Sequence, residues 1–347
     1  MATLQDDQKL EDLLTIVITT SPTPSAPAPE LIQRVLASLP EELAAVSLIV
    51  TFDGFSIARA DRAGGRLKKG QVPEGMAGQY PAYIENVKGH LGESWSEEVR
   101  DASTHAFVST CDNGGGGGPG RCRRRRRVTS IRQSFRQGFG MNVRSALAYA
   151  ATPFILTLQH DWVFTRPTPP FAALCRIMAR EPGVRYVTFV ARQSRRYETS
   201  RGGTSARYAE LMRCGKRARA GLDLQHALVP CLHFFDRPHL CSVALYRDLF
   251  RSGLVRRGDF IEDTYGCALI EALNRADSQD AAYQVWHTVG SWMYHPDQGD
   301  TVAVRHTSGR TCLPQEQQRQ RIQEYIRTNR SKQSGRSGSN DDGRLDD

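Results

Sequence analysis

The chain has 347 residues, of which 39% are hydrophobic and 24% are charged, a composition typical of a globular protein with an ample core. No stretch is long and apolar enough to predict a signal peptide or a membrane span. Eight cysteines without CxxC spacing argue against a zinc ribbon, and we expect reduced thiols in a cytoplasmic protein rather than the alternative, a set of disulfides. The net charge of +9 equals the nine arginines of residues 121–144, a segment without acids, which excludes a basic surface over the whole molecule.

The first predicted elements form a βαβ unit. The β-branched run LLTIVITT at residues 13–20 predicts a strand, an apolar stripe predicts a helix at residues 30–39, and VSLIVTF at residues 46–52 predicts a second strand. Two strands joined by one helix in about forty residues are parallel, with a right-handed crossover. Their polar ends, Thr20 and Asp53, are therefore expected at the same edge of a sheet.

A second helix–strand pair ends in an acid. Residues 138–151 carry a helical apolar stripe, and the run FILTL at residues 154–158 predicts a buried strand that stops at the sequence QHD. Because open α/β sheets bind ligands at the carboxyl ends of their strands, we expect Asp161 to hold a divalent metal and, through it, a diphosphate. An acid after a strand is often a helix N-cap, but the turn at residues 167–170 delays the next helix. His160 points to the other side of the strand and is expected to pack.

Later apolar patterns predict further elements around the same sheet. The predicted helices span residues 80–91, 170–180 and 262–273, and the predicted strands span residues 184–190, 241–246, 283–289 and 291–294. Glu262 and Asp263 begin the last helix, where they either complement the helix dipole or supply a general base on a rigid mount. His295 and His306 follow on loops, where each is either a surface side chain or a group that reaches a metal or phosphate.

Three segments are expected to stand outside the core. Residues 1–12 are polar, residues 113–127 are a low-complexity run of glycines and arginines, and residues 313–347 form a polar tail rich in Ser, Gly and Asp. Such compositions cannot bury a core, so we expect the insertion and most of the tail to be disordered. The remaining chain, residues 13–312, is long enough for one α/β domain.

The order and spacing of these features resemble the family 2 glycosyltransferases of the GT-A fold over residues 13–310. LTIVITT, a helix and LIVTFDGF are similar to the family's nucleotide-binding start, and GFGMNVRSALAYAATPFILTLQHD is similar to its helix leading into a metal-binding acidic motif. FIEDTYG is similar to its Glu-Asp motif. The chain departs from the family at QHD, which has one acid in place of two. The resemblance implies a Rossmann-like, mostly parallel central sheet flanked by helices.

The resemblance also implies a function and a set of site residues. A sugar would pass from a nucleotide-diphosphate donor to a hydroxyl of a carbohydrate, lipid or protein acceptor, with inversion and with Mn²⁺ or Mg²⁺ as cofactor. The residues implied are Thr20, Asp53 and Arg144 at the nucleotide, Asp161 and His306 at the metal, Arg310 at the diphosphate, and Glu262 and Asp263 as catalytic acids. Of the last pair, Asp263 would be the base, and Arg144 or Arg310 would add positive charge at the leaving group.

Two other functions fit parts of the sequence. A basic nucleic-acid-binding protein would use residues 121–136, but it would also require interleaved aromatic residues or a known module, and we find neither. A nucleotide-sugar pyrophosphorylase would require a glycine-rich phosphate loop after the first strand, where SPTPSAPAP has no glycine. We therefore expect a nucleotide sugar as the partner and no DNA.

Overall fold

A computed structural model describes residues 8–22, 29–57, 71–72, 74–113, 126–197, 211–213 and 228–307. In chain order its strands are β1 (Leu14–Thr20), β2 (Ser47–Phe52), β3 (Ser56–Ile57), β4 (Gln71–Val72), β5 (Val99–Asp101), β6 (Ala106–Asn113), β7 (Arg126–Gln133), β8 (Phe154–Gln159), β9 (Trp162–Phe164), β10 (Tyr186–Phe189), β11 (Leu228–Pro230), β12 (His239–Ser242), β13 (Ser291–Tyr294) and β14 (Val304–His306). Its α-helices are α1 (Leu10–Leu13), α2 (Glu30–Ser38), α3 (Glu74–Ala77), α4 (Gln79–Leu91), α5 (Phe139–Leu147), α6 (Phe171–Arg180), α7 (Val243–Arg251), α8 (Cys267–Arg275) and α9 (Gln279–Val289).

Ten strands form one sheet, in the order β11-β13-β10-β12-β8-β1-β2-β7-β6-β5. Its centre, made of β8, β1, β2 and β7, is parallel. Antiparallel pairs extend it on both sides, through β6 and through β12. Because β12 is antiparallel to both β8 and β10, β10 and its parallel neighbour β13 run in the same direction as β8. The predicted α/β fold, with a largely parallel central sheet flanked by helices, is confirmed.

The core lies on both faces of the parallel centre. Every residue of β1 is buried, which a strand shows when it has a neighbour on each side and helices over both faces. Tyr83 of α4 packs edge-on against Phe52 at the end of β2, and α5 contacts β1, β2 and β7. These two helices therefore fix the strand ends that the sequence marks as functional.

One predicted strand, at residues 283–289, is wrong, because this segment belongs to α9. The Oγ of Ser278 accepts a hydrogen bond from the Ala281 amide at 3.1 Å and caps the start of the helix. Gly290 ends it in the left-handed region, with φ of 59°, and the helix buries Trp286 against the core. These start and stop signals outweigh the β-branched and aromatic composition that suggested a strand.

The predicted strand at residues 241–246 is wrong in its second half. Strand β12 stops at Ser242, whose Oγ accepts the Leu245 amide at 3.1 Å and begins α7. A serine that bonds its own following backbone offers the chain an alternative to the sheet ladder. The remaining predicted helices and strands lie where expected, with ends that differ by a few residues.

Strands β6 and β7 flank the predicted glycine- and arginine-rich insertion. Asn113 pairs with Arg126, so both ends of the segment predicted at residues 113–127 are strand, whereas residues 114–125 lie outside the described residues. Of the segment predicted at residues 1–12, residues 1–7 lie outside the described residues and residues 10–12 belong to α1, and the predicted tail at residues 313–347 lies outside them entirely. Within the described ranges, no helix has the length and apolar character that crossing a bilayer requires.

Candidate functional site

Four parallel strands end at one edge of the sheet. The chain runs from β1 to β2 and β7 on one side, and then crosses back to β8 on the other side of β1. Such a reversal leaves a crevice outside the carboxyl ends of the strands, which is the usual ligand position in open α/β sheets. In this sheet the strand order reverses between β1 and β8, so such a crevice is expected at the strand ends that carry Thr20 and Asp161.

Hydrogen bonds tie the ends of β1 and β8 together. The His160 amide donates to the Thr19 carbonyl oxygen at 3.0 Å, and the Ser21 amide donates to His160 Nδ1 at 3.2 Å. The His160 ring is buried, as expected for a packing residue. It therefore fixes the backbone on both sides of the crevice, directly beside Asp161.

Asp161 and His306 are brought together by a small second sheet. Strand β14 pairs antiparallel with β9, which sets His306 opposite Trp162, and the two rings meet edge-on. His306 Nε2 then lies 3.0 Å from Asp161 Oδ2. The amide and hydroxyl of Thr307 both donate to the Asp161 carbonyl oxygen, at 2.7 and 2.9 Å. The two residues expected at a metal therefore do meet.

The Asp161 carboxylate is buried but not fully used. Its Oδ1 has no hydrogen-bond partner among the described residues, and the residue is 7% exposed. Burial raises the pKa of Asp161, but the hydrogen bond with His306 and the charges of His160 and His306 outweigh it and leave the pKa below its usual value. The carboxylate is therefore ionised at neutral pH and has one oxygen available as an acceptor.

The resemblance implies a divalent metal. The side chains near Asp161 fit a metal ion whose remaining ligands are oxygen atoms of the substrate. In the described part of the chain, no three His, Cys, Asp or Glu side chains are grouped to hold a metal by themselves. Mg²⁺, however, is commonly bound through one or two carboxylates together with substrate phosphates. The unpartnered Oδ1 of Asp161 is the type of oxygen that Mg²⁺ and Mn²⁺ favour, with His306 beside it.

Asp53 has a structural role that its position in the sequence did not indicate. Its Oδ1 accepts the Gln137 amide at 2.6 Å and its Oδ2 accepts the Gly138 amide at 3.0 Å, at the start of α5. Burial raises the pKa of Asp53, and these hydrogen bonds offset part of the rise. Gly54 lies so close to Phe135 that a Cβ would be 2.2 Å from its carbonyl carbon. Asp53 thus joins β2 to α5, and its contact with a nucleotide stays a prediction.

Thr20 ends β1 next to two tyrosines of α4 that the sequence did not single out. The hydroxyls of Thr20, Tyr80 and Tyr83 are buried near one another without a hydrogen bond of normal geometry. The two phenol rings are stacked, with centroids 5.7 Å apart. Buried hydroxyls without partners are rare in folded proteins, so this group marks the end of β1 as a functional candidate.

Glu262 and Asp263 begin a π-helical turn, Glu262–Gly266, that leads into α8. Turns of this kind occur frequently at functional sites. Glu262 is half-buried and Asp263 is exposed. Gly266 packs so tightly that a Cβ would lie 2.3 Å from the His233 ring. The packing of Gly266 against His233 therefore fixes the turn. Its two carboxylates differ in their exposure to solvent.

Asp236 is a site residue that sequence reasoning missed. The Glu262 amide donates to Asp236 Oδ1 at 3.2 Å, and the Asp236 amide donates to Glu262 Oε2 at 3.1 Å. Gln159 Nε2 donates to the Asp236 carbonyl oxygen at 3.2 Å, which links the acid pair to the end of β8. Burial raises the pKa of Asp236 well above its usual value, and the charges of Glu262 and Asp263 add to the rise. No pattern in the sequence marks Asp236, because it lies in an aperiodic loop before β12.

One of the two predicted cations lies away from this group. Arg144 is exposed in the last turn of α5, whereas Asp53 accepts a hydrogen bond at the first turn. After α5 the chain enters β8 at the sheet edge opposite to the one that carries Asp53. Arg310 lies outside the described residues. His295 is buried at the end of β13 rather than on the surface.

Comparisons with known proteins give limited information. No protein-family model matches the chain. No curated protein matches it either. Among solved structures it is similar to the mannosyltransferase PcManGT from Pyrobaculum calidifontis in complex with GDP-Man and Mn²⁺, with 12% identity over 75% of this chain and 51% of that one, and a TM-score of 0.35.

Two further solved structures are similar to this chain. GalNAc-T7 with UDP, GalNAc and Mn²⁺ shares 11% identity over 85% of this chain and 44% of that one, with a TM-score of 0.44. S. aureus TarS shares 11% identity over 85% of this chain and 36% of that one, with a TM-score of 0.35. The chain thus spans about half or less of the length of these proteins. With TM-scores below 0.5, the similarities do not assign a family or a substrate to it.

Proposed function

We propose that this chain transfers a sugar from a nucleotide-diphosphate donor to an acceptor hydroxyl. The observation that carries the proposal is the buried, ionised carboxylate of Asp161 at the switch point of the sheet, with one oxygen at His306 and the other unpartnered among the described residues. A carboxylate in this position can hold a divalent cation, and a diphosphate leaving group requires its charge to be neutralised. The order of features shared with family 2 glycosyltransferases supports the same function.

The donor would lie across the crevice. Thr20 and Asp53 would contact the nucleotide, and Asp161 and His306 would hold Mn²⁺ or Mg²⁺. When bound, the cation neutralises the diphosphate and helps it to leave. Asp53 accepts two backbone amides and a hydrogen bond from the Asn142 side chain, and a donor group of the nucleotide would use its remaining acceptor capacity.

The acid pair would receive the acceptor's proton. The acceptor oxygen forms a bond to the anomeric carbon while the bond from that carbon to the diphosphate breaks, and the nucleoside diphosphate leaves with the electron pair. The hydroxyl proton moves to Asp263, whose exposure leaves it open to an acceptor. One base and a single displacement imply inversion at the anomeric carbon. Glu262, held by Asp236, fixes the turn on which Asp263 stands.

A thermal-shift screen tests this function. The full chain is heated with UDP-, GDP-, ADP- and dTDP-sugars, each with Mn²⁺, Mg²⁺ or a chelator. We expect one nucleotide class to raise the melting temperature more with metal than with chelator, since a donor at 100 times its Kd stabilises by about 2.7 kcal/mol. Asp161→Asn should lose the metal-dependent shift. A chain that responds to none of these donors, or equally with chelator, would contradict the proposal.

A further inference from the structure

Two arginines meet where the start of α5 touches the segment before the π-helical turn. Gly138 and Gly258 have φ values of 80° and 88°, and a Cβ on Gly138 would lie 2.7 Å from the Gly258 Cα. The Gly258 amide donates to the Gln137 carbonyl oxygen at 2.7 Å. Because both positions are glycine, the two backbones touch, and this contact brings Arg136 and Arg257 side by side.

The two side chains cross each other. Arg257 Nε donates to the Arg136 carbonyl oxygen at 2.6 Å, and its guanidinium lies over the ring of Phe135, 4.3 Å from the centroid. Arg136 Nη2 donates to the Gly258 carbonyl oxygen at 3.4 Å. Each guanidinium is therefore held by the backbone of the other segment. We call Arg136 and Arg257 the arginine clasp.

The clasp brings two positive charges together. Over the ranges that the structure covers, neither arginine forms an ion pair. Asp53 is close enough for the charge of Arg136 to lower its pKa, and the two Asp53 oxygens bond backbone amides rather than the guanidinium. Two adjacent cations repel, and Arg257 uses only its Nε as a donor, which leaves the Nη donors of its fork.

We infer that the arginine clasp binds a phosphate or diphosphate group. An arginine fork makes two parallel hydrogen bonds to phosphate oxygens, and the stacking of Arg257 on Phe135 holds its fork in one plane. Arg136 of the clasp is near enough to Asp53 for its charge to act on that carboxylate, and Arg257 precedes Glu262 by a few residues in the chain. The phosphate would belong either to the donor or to the acceptor. This assignment to a substrate rests on the proposed function, whereas the anion site does not.

Titration calorimetry of the full chain with inorganic pyrophosphate tests the clasp. Arg136→Gln and Arg257→Gln should each weaken binding roughly tenfold or more, because each removes charge-assisted bonds. Arg257→Lys keeps the charge but not the planar fork and should also weaken it. Arg256→Gln is the matched control, since this exposed neighbour has no side-chain hydrogen bond or ion pair to any described residue. It should change the affinity by less than about twofold, through screened charge alone.

The outcomes separate the clasp from the transferase. Equal losses in all the glutamine variants, or no pyrophosphate binding by the wild-type chain, would overturn the clasp. A higher donor Kd in Arg257→Gln identifies the donor's diphosphate, whereas a higher acceptor KM with an unchanged donor Kd identifies a phosphate on the acceptor. Clasp-dependent pyrophosphate binding by a chain that transfers no sugar would keep the clasp and reject the proposed function.

Discussion

The backbone amide of Glu262 donates to Asp236 Oδ1 at 3.2 Å, and the backbone amide of Asp236 donates to Glu262 Oε2 at 3.1 Å. This reciprocal pair fixes the π-helical turn to the loop before β12, and the Gln159 side chain ties the same loop to β8. A group that takes a proton in the transition state must be held within hydrogen-bond reach of it. Asp236 connects the proposed base to the sheet edge that carries Asp161.

Two nearly isosteric substitutions can separate the roles of Glu262 and Asp263. Asp263→Asn should lower turnover by about 10²–10⁴-fold, the usual effect of a positioned base, with donor binding unchanged. Asn keeps a side-chain oxygen at the helix start, so stability should barely change. Glu262→Gln keeps an oxygen for the Asp236 amide and is the companion variant. Steady-state kinetics distinguish the two variants. If Glu262→Gln loses most of its turnover and Asp263→Asn loses little, Glu262 is the base. Wild-type turnover in both variants would reject the mechanism.

Removing Asp236 should affect turnover more than binding. Asp236→Ala deletes the acceptor of the Glu262 amide, so kcat should fall by roughly 10²-fold, the effect of a misplaced catalytic group, while the donor Kd stays constant. Asp236→Asn keeps that acceptor and should restore most of the turnover. Ser278→Ala is the control, because it loses a similar side-chain-to-amide bond, of 3.1 Å, at the start of α9. A proportional loss of kcat in the control and in Asp236→Ala would mean that Asp236 acts only through stability.

Asp53 should prove both structural and ligand-binding. Asp53→Ala leaves the buried amides of Gln137 and Gly138 without acceptors, which should reduce the free energy of unfolding by about 1–3 kcal/mol. It should also raise the Kd of the nucleotide sugar and of the free nucleoside diphosphate alike, since a ground-state contact is lost. Urea denaturation and calorimetry measure the two effects. A folded variant with lower turnover and an unmoved Kd would remove Asp53 from the nucleotide site.

His239 should make the fold sensitive to acid. Its ring is fully buried between the Arg237 carbonyl oxygen and the Tyr246 hydroxyl, and this burial lowers the pKa of His239 to about 4. The unfolded chain, with a pKa of about 6.5, binds the proton first, so the stability from His239 is present above pH ~6.5 and is lost as pH falls toward 4. Between pH 7 and pH 5 the loss should be about 2 kcal/mol. Urea titrations should show that the difference in free energy of unfolding between wild type and His239→Gln is smaller at pH 5 than at pH 7. If the two free energies change with pH in parallel, the assignment to His239 is refuted.

Local patterns predicted the frame of the site well. The βαβ unit and the strand that leads to Asp161 have strong periodic signals, and parallel strands with the same direction must end at one edge, so Thr20, Asp53 and Asp161 share that edge. The partners of these residues were not predictable in the same way. His306 reaches Asp161 only through the pairing of β14 with β9, a contact between segments far apart in the chain.

Competing local chemistry explains the errors. Ser242 and Ser278 cap helices in segments whose composition favours strands, and the stronger capping signal decided the structure. Asp236 was overlooked because a loop residue has no periodicity to mark it, and its importance comes entirely from its hydrogen bonds with Glu262. Arg144, a cation near the acidic motif in sequence, lies in the last turn of α5, whereas Asp53 bonds the first turn, and the contact of Arg144 with a nucleotide stays a prediction.

The most direct test of the central claim is calorimetric titration of the nucleoside diphosphate that the thermal-shift screen selects, into wild type and Asp161→Asn, with Mn²⁺ and with chelator. The account predicts that metal tightens binding to the wild type and that Asp161→Asn retains only the weaker, metal-independent affinity. The variant should keep its fold, as circular dichroism would record, because the Thr307 bonds go to the backbone carbonyl of Asp161. A folded Asp161→Asn that binds the nucleotide with the wild-type affinity and the same metal dependence would contradict it.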